Sequence, residues 1–376
     1  MTDQPIHAPL APARRAHVLA SLARDGIVRV SQLIDELGVT PVTVRRDLAQ
    51  LEEEGLVVRV HGGAVAPPGG NGHAPDRAPV DGSARTVTET SDAIAVLVPS
   101  LNYYWPSVVR GMEREARRRG YRVLLRGASY ELQDERPVLE RLVRSEGVKG
   151  LIVAPNTDTP HAQDVIQWLA QTGVPCVLTE RDAFLLPDRA PVESVTSDHA
   201  LGAVLAARHL ADLGHRKVGL VLSRDSPTSR KIAAGWQAVC EELGLTPAQH
   251  FEDLLPDRSS ADFRDAVNAS LDRAMESGTT ALLVHPDAEA MAFVDLALAR
   301  GISVPGDLSV IAYDDEVAEL FTPALTAVSP PRMDVGAAAV DLLVRRIAEP
   351  DRPVHRVMLN PTLNVRESTA PPRTAP

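Results

Sequence analysis

The chain is short of cysteine and of aromatic side chains, and it holds no long apolar run. Two cysteines, Cys176 and Cys240, stand among 376 residues. So few exclude a disulfide framework and a thiolate-rich metal site. No apolar stretch approaches the ~18 residues that a membrane-crossing helix needs, so no membrane partner is expected. The opening text MTDQPIHAPLAPARRAH has no basic segment followed by an apolar one. A secretory leader is therefore not expected, and the cytoplasm is the expected location. Excess positive charge is missing too, the formal net charge being −11. That excludes a chain basic all over, but DNA contact depends on local placement. Residues 1–66 are near neutral, with seven arginines against eight carboxylates. A Walker A run, a GxSxG elbow and a His/Cys metal cluster are all absent. No catalytic residue, metal ligand or cofactor is expected, and the chain is not read as an enzyme. Asp314 and Asp315 are adjacent, and neighbours at a strand end point opposite ways, which is poor geometry for a shared hydrolytic reaction.

What is present falls into three regions and a tail. Residues 12–66 show helical periodicity broken by turn signals. Residues 67–91 are rich in Pro, Gly and polar side chains with almost nothing to bury, the composition of a flexible linker. Residues 92–367 alternate short apolar runs with amphipathic stretches. Residues 368–376, STAPPRTAP, are expected to be an unordered tail.

In the first region a helix is expected over residues 13–24, with Val18, Leu19 and Leu22 on one face. Ser31 can cap a short second helix that Gly38 ends. Thr40 as N-cap and Pro41 at the first helical position open a third. Its apolar residues Val44, Leu48 and Leu51 recur at helical spacing and turn inward. Gly55 stops it, and LVVRVHGGAV reads as a hairpin turning at Gly62-Gly63. Helix, short helix, turn, helix and wing form a winged helix, whose last helix enters the DNA major groove. Thr43 then reaches a base edge or a thymine methyl. Arg45 and Arg46 pair with guanine or phosphate, and Arg59 and His61 of the wing touch the backbone or minor groove. Thr40 belongs to the same interface. Asp47 is expected to make an internal bridge instead of a base contact.

The large region reads as repeated strand–helix units. IAVLV (94–98), YRVLL (121–125), GLIVA (150–154), CVLT (176–179), KVGLVL (217–222), ALLVH (281–285) and LSVIAY (308–313) are strands, and helical text lies between them. Continuous apolar strands separated by helices mean parallel sheets covered on both faces. The number of units exceeds one ordinary sheet, so two lobes with a cleft between them are expected. Ligands bind outside the carboxyl ends of such strands. The residues found there are Tyr103, Tyr104 and Trp105, then Asn156, Glu180 with Arg181, Arg230, Asp287 and Asp314. Three consecutive aromatics in a chain only 3% aromatic, with carboxylates and arginines, suit a polyhydroxylated ligand. The competing structural readings are a helix N-cap for Asp287, core packing for the aromatics and a surface position for Arg230.

Two resemblances join these readings. VSQLIDELGVTPVTVRRDLAQLEEEGLVVRVHGGAV resembles the helix-turn-helix of the DeoR family of bacterial repressors. HLADLGHRKVGLV, SRKIAAGWQAVCEELGL, ALARGISVPGDLSVIAYDDE and TPALTAV resemble the sensor domain of the LacI family. That implies a type I periplasmic-binding-protein fold, with Arg230 and Asp314 on the family's ligand-binding positions. Two departures bear on the ligand. Pro286-Asp287 stands where Asn-Asp is usual, and Pro330 replaces a frequent Gln. The family's own DNA headpiece and hinge helix are replaced by the DeoR-type module and a Pro/Gly linker.

The resulting expectation is a homodimeric transcriptional regulator, a repressor, that binds operator DNA and is controlled by a small-molecule effector, a sugar. The alternatives are the same regulator sensing a nucleoside, purine or sugar phosphate, and a solute-binding protein for sugar uptake.

Overall fold

A computed structural model of the chain divides into two compact units, Met1–Val87 and Thr88–Pro376. It describes 14, 15, 17–19, 21, 22, 27–29, 33, 39, 41–53, 56–60 and 63–65 of the first. Of the second it describes 92–373 other than 102, 128–134, 158–160, 225 and 245–249. The linker expected over 67–91 lies outside the described residues, as do Thr40 and His61.

The first unit is built around helix α1 (Pro41–Glu53) and a three-stranded antiparallel sheet. Its strands are β1 (Ile27–Arg29), β2 (Val58–Val60) and β3 (Gly63–Val65). The central strand is β3, which pairs with β1 and β2. Val60 pairs with Gly63, so Gly63 opens a strand instead of forming the hairpin turn. Val44, Leu48 and Leu51 of α1 pack with Val18, Leu22, Val28, Leu33 and Val57, as their helical spacing predicts. Asp47 takes a two-point bond from Arg14, with Nε at 2.6 Å and Nη2 at 3.1 Å. The expected internal bridge is therefore present, and it fixes the first helical text against α1.

In the second unit two six-stranded sheets each make one lobe. The first lobe holds β4 (Ala93–Val98), α2 (Tyr104–Arg118), β5 (Arg122–Gly127), α3 (Arg136–Val143), β6 (Val148–Val153), α4 (Ala162–Gln171) and β7 (Cys176–Thr179). A small hairpin, β8 (Phe184–Leu185) and β9 (Ala190–Pro191), precedes β10 (Ser194–Ser197). The second lobe follows with α5 (His199–Asp212), β11 (Val218–Ser223), α6 (Pro227–Glu242), β12 (His250–Leu255), α7 (Phe263–Glu276), β13 (Ala281–Val284), α8 (Asp287–Ala299), β14 (Ser309–Tyr313) and β15 (Thr326–Ser329). Helix α9 (Arg332–Ala348) and β16 (Arg356–Leu359) return to the first lobe, and β17 (Thr362–Asn364) ends in the second.

The strand orders are β16-β10-β7-β6-β4-β5 and β12-β11-β13-β14-β15-β17. Every pairing within them is parallel except β15 with β17. Each strand's alternate side chains fill separate cores. Ile94, Val96 and Val98 pack with α2 and α9, while Ala95 and Leu97 pack with α3 and α4. The doubly covered parallel sheet explains why the strand text is uniformly apolar.

Three chain crossings join the lobes, at Asp198, at Pro330-Pro331 and at Asn360-Pro361. Residues 368–373 do not form a loose tail. Ser368 is fully buried, its carbonyl takes the Val310 N–H at 2.9 Å and its hydroxyl donates to the Val310 carbonyl at 2.6 Å. The segment is held through backbone and hydroxyl bonds, which its unpatterned composition does not reveal.

Helices α2 and α9 cross at two glycines. A Cβ on Gly111 would stand 2.0 Å from the Met333 carbonyl, and one on Gly336 2.0 Å from that of Val108. Their N-termini carry Tyr104, Trp105 and Arg332, so this approach sets the cleft wall. Gly336→Ala is expected to cost about 3 kcal/mol and to lower the melting temperature of the second unit. A calorimetric melt unchanged from wild type would contradict this packing.

Candidate functional site

A cavity of about 590 Å³ opens between the lobes. Its wall is made of residues that follow the carboxyl ends of strands: Ser100 and Tyr103–Trp105 after β4, Ser223 and Ser226 after β11, Asp257–Ser259 after β12, His285–Glu289 after β13, and Asp314 and Glu316 after β14. A smaller space of about 70 Å³ adjoins it, sharing Tyr104, Trp105, Ser226, His285 and Asp314 and adding Glu180, Arg181 and His199.

Three wall positions have left-handed backbone: Tyr103 (φ 50°), Glu180 (φ 55°) and Asp314 (φ 94°). Non-glycine residues enter this region at a cost of order 1–3 kcal/mol, and such strain gathers at binding sites. Each of the three follows a strand, turning a side chain toward the cleft where a regular chain would not.

Glu180 is the hub. Tyr104 donates a hydrogen bond to its Oε1. The Ser197 hydroxyl donates to the same oxygen at 2.7 Å, and the Ser197 N–H to Oε2 at 2.9 Å. His199 Nε2 stands 3.4 Å from Oε2, and His199 Nδ1 lies 3.1 Å from the Tyr313 hydroxyl. Burial pushes the carboxyl up, but hydrogen bonds and charge from His199, with bonds from Tyr104 and Ser197, outweigh it and hold Glu180 at about 2. The chain Tyr104–Glu180–His199–Tyr313 thus runs from one lobe into the other.

The far wall is different. Burial pushes Asp314 well above the ordinary carboxylate range, Asp287 adding to the effect and Arg332 opposing it. Burial also raises Asp287, whose Oδ2 accepts the N–H groups of Glu316 and Val317 at 2.8 and 2.9 Å. Glu289 is pushed up to about 7 by burial. His285 is pulled down to about 3 by burial, then by His199. Its Nε2 is 3.7 Å from Asp314. Arg332 reaches across from the first lobe to the carbonyls of Asp314 and Asp315 and lies 5.8 Å from the centre of the Tyr104 ring.

In the first unit Arg46 is exposed on α1, Thr43 is half-buried, and the buried face holds Val44, Asp47 and Leu48. Arg45 and Arg59 lie within α1 and β2, and their side chains are outside the described residues. Among the described residues no cluster of His, Cys, Asp or Glu is arranged to hold a metal ion, and no helix is long and apolar enough to cross a membrane.

Comparison with known proteins follows the same two-part division. Residues 207–369 match the periplasmic binding protein-like domain, and residues 14–68 match the DeoR-like helix-turn-helix domain. An HTH-type transcriptional regulator of Streptomyces limosus is 32% identical over 283 residues, 74% of this chain and 78% of the relative. The chain belongs to the LacI-type family of HTH transcriptional regulators. The arabinose metabolism transcriptional repressor of Geobacillus stearothermophilus is 25% identical over 90% of both chains. A LacI family regulator from Enterococcus faecium, solved with bound ribose, is 26% identical with a TM-score of 0.61, over 75% of this chain and all of the other. These relatives are named for regulation, not for catalysis.

Within this LacI-type frame the expected site residues divide. Tyr103, Tyr104, Trp105, Asp287 and Asp314 line the larger cavity, and Glu180 and Arg181 line the smaller. Glu180 and Asp287 are engaged by the chain's own donors, and so act on the shape of the site. Arg181 donates to the carbonyls of Pro155 and Glu180 and lies 5.8 Å from the centre of the Trp105 ring. Two expected residues stand outside the walls of these two cavities. Arg230 is exposed, because the preceding Ser229 turns inward to the Ser223 carbonyl at 2.6 Å and the next helical residue points about 100° away. Its neighbour Lys231 instead reaches the first lobe, bonding Asp182 at 2.7 Å. Asn156 lies outside both cavity walls, its N–H directed to the Glu135 carboxylate at 3.2 Å.

Sequence reasoning missed His285, Glu289, Asp257, Arg258 and Glu316. The signal was present for the first two: His285 follows β13 directly, and Glu289 lies in the first turn of α8. Counting His285 as the last residue of the strand ALLVH hid it, and reading five residues beyond β13 would have reached Glu289.

Glu289 makes a pH-dependent contribution with a definite sign. Its folded value of about 7 exceeds the ordinary 4.5, so between those values the folded chain holds a proton that the unfolded chain has lost. Stability therefore falls as pH rises through that window. Glu289→Gln is expected to be more stable than wild type at pH 8 by on the order of 3 kcal/mol, with the gap closing below pH 5. A gap that stays constant from pH 5 to 8 in denaturant melts would refute this.

Proposed function

We propose that this transcriptional regulator is a cytoplasmic homodimer that binds a pseudo-palindromic operator as a repressor and releases it in response to a sugar held between the lobes. The observation that carries the reading is the interlobe cavity. Aromatic side chains stand on one wall and carboxyl groups on the other, in a chain that also carries a DeoR-like helix. Apolar ring faces cover the carbon face of a sugar, and carboxyl groups bond its hydroxyls.

The ligand contacts in this reading are Tyr103, Tyr104, Trp105 and Asp314, with Asp287 shaping the loop beneath them. Tyr103 is exposed at the mouth of the cavity (61%), where closure over a ligand would bury it. The arabinose repressor and the ribose-bound regulator support a sugar. On the DNA side Thr40, Thr43, Arg45 and Arg46 read the major groove, and Arg59 and His61 hold the wing to the backbone or minor groove. Dimerisation follows from affinity: two modest half-sites joined in one molecule bind far more tightly than either alone. Ligand that binds one lobe arrangement better than another shifts the population toward it, and DNA affinity follows.

Two substitutions separate the halves of this mechanism. Arg46→Ala should weaken binding to DNA selected from a random library by about 10- to 100-fold, the loss expected for one base contact. Its ligand-induced thermal stabilisation should stay intact. Asp314→Asn should keep DNA binding and lose the stabilisation, which for wild type at 100 times the dissociation constant is about 2.7 kcal/mol. If Asp314→Asn still responded like wild type, the cleft would be assigned wrongly.

A further inference from the structure

The wall of the larger cavity is unbalanced in charge. Asp257, Asp287, Glu289, Asp314 and Glu316 line it against a single guanidinium, that of Arg258, among the described lining residues. Arg258 donates to the Ala288 carbonyl at 3.3 Å. Arg332, beside the cavity, is bonded to the carbonyls of Asp314 and Asp315 and stands 3.5 Å from Glu316, which leaves the other four carboxyl groups of the wall against Arg258. The start of α8 would ordinarily draw an anion. Here Asp287 and Glu289 occupy its first turn, so the positive helix end is already covered by the chain's own carboxyl groups.

The wall is also unbalanced in hydrogen bonding. Among the described residues Glu289 Oε2 and His285 Nδ1 have no hydrogen-bond partner, although the two residues are only 6% and 4% exposed. Buried polar atoms of a folded protein are nearly always paired, and each exception calls for a reason. We assign the imidazole proton to Nε2, the nitrogen that faces Asp314, which leaves Nδ1 an acceptor. Both unpartnered atoms then seek a donor.

Resting on the sugar-sensor reading above, we propose that the effector is an amino sugar, whose protonated amine is received by Glu289 and His285 Nδ1 while its hydroxyls meet Asp314. An ammonium group supplies three donors and the charge that the wall lacks. A sugar phosphate would place a dianion among five carboxyl groups, and an N-acetyl sugar would offer one weak donor and no charge. The aromatic segment is compatible with the same ligand, because Tyr103 can cover the ring without being needed for the charge.

The test uses the full chain, with thermal shift followed by calorimetric titration. The probes are D-glucosamine, D-galactosamine and D-mannosamine, each beside its parent hexose, its N-acetyl derivative and its 6-phosphate, at one ionic strength. At least one amino sugar is expected to bind tenfold more tightly than both its parent and its N-acetyl form, with the phosphates inactive. Glu289→Gln should cut that preference to threefold or less while melting as one folded species. Binding of a parent hexose or a phosphate as tightly as the amine overturns the inference and leaves the sensor reading standing. So does an amine preference that survives in Glu289→Gln. Silence from every sugar overturns both.

Discussion

The buried carboxylate of Glu180 is the interaction on which the cleft depends. Taking a charge out of water is costly, and it is tolerated only where donors surround it. Glu180 collects those donors from separate elements: Tyr104 at the start of α2, Ser197 at the end of β10, and His199 at the start of α5. His199 carries the network to Tyr313 at the end of β14. Each partner stands at an element end near the lobe boundary, so satisfying one charge sets the positions of several cleft walls at once. The left-handed backbone of Glu180 is tolerable in the same terms, because the surrounding bonds over-determine it.

The opposite wall follows the reverse logic. Asp314, Asp287 and Glu289 are buried, and burial pushes their carboxyl groups toward the neutral form. One side of the cleft is an ionised scaffold, and the other carries buried carboxyl groups pushed toward neutrality. In the function proposed above, that contrast separates groups that shape the site from groups that meet the ligand.

Much of this architecture was legible in the sequence, because burial writes itself into periodicity. The apolar strand runs gave seven strands and two lobes, and the Val44–Leu48–Leu51 spacing gave the inward face of α1. The internal role of Asp47 was also readable from the motif it belongs to. What escaped was whatever burial does not encode. Strand β12, HFEDLL, mixes polar with apolar residues at a sheet edge, and residues 368–373 are held through backbone and side-chain hydrogen bonds, not through an apolar face. Strand-end residues were found by rule, yet the rule does not say which way a side chain turns. Hence the spacing that placed Arg230 after a strand did not single out Lys231, which makes the interlobe contact with Asp182, and it did not show that oxygens of Glu180 and Asp287 are engaged by the chain itself.

A DeoR-like module joined to a LacI-type sensor separates DNA reading from ligand sensing, and regulation requires that the two be coupled. Coupling is a free energy and is reciprocal: whatever factor the ligand imposes on DNA affinity, DNA imposes on ligand affinity. The decisive measurement is therefore fluorescence anisotropy of the full chain on DNA selected by the protein itself, with and without a saturating sugar effector. It is paired with titration of that sugar with and without the DNA. The account predicts that both affinities weaken by the same factor, of tenfold or more. Identical DNA affinity in the presence and absence of bound effector would contradict it, for the cleft would then bind without regulating.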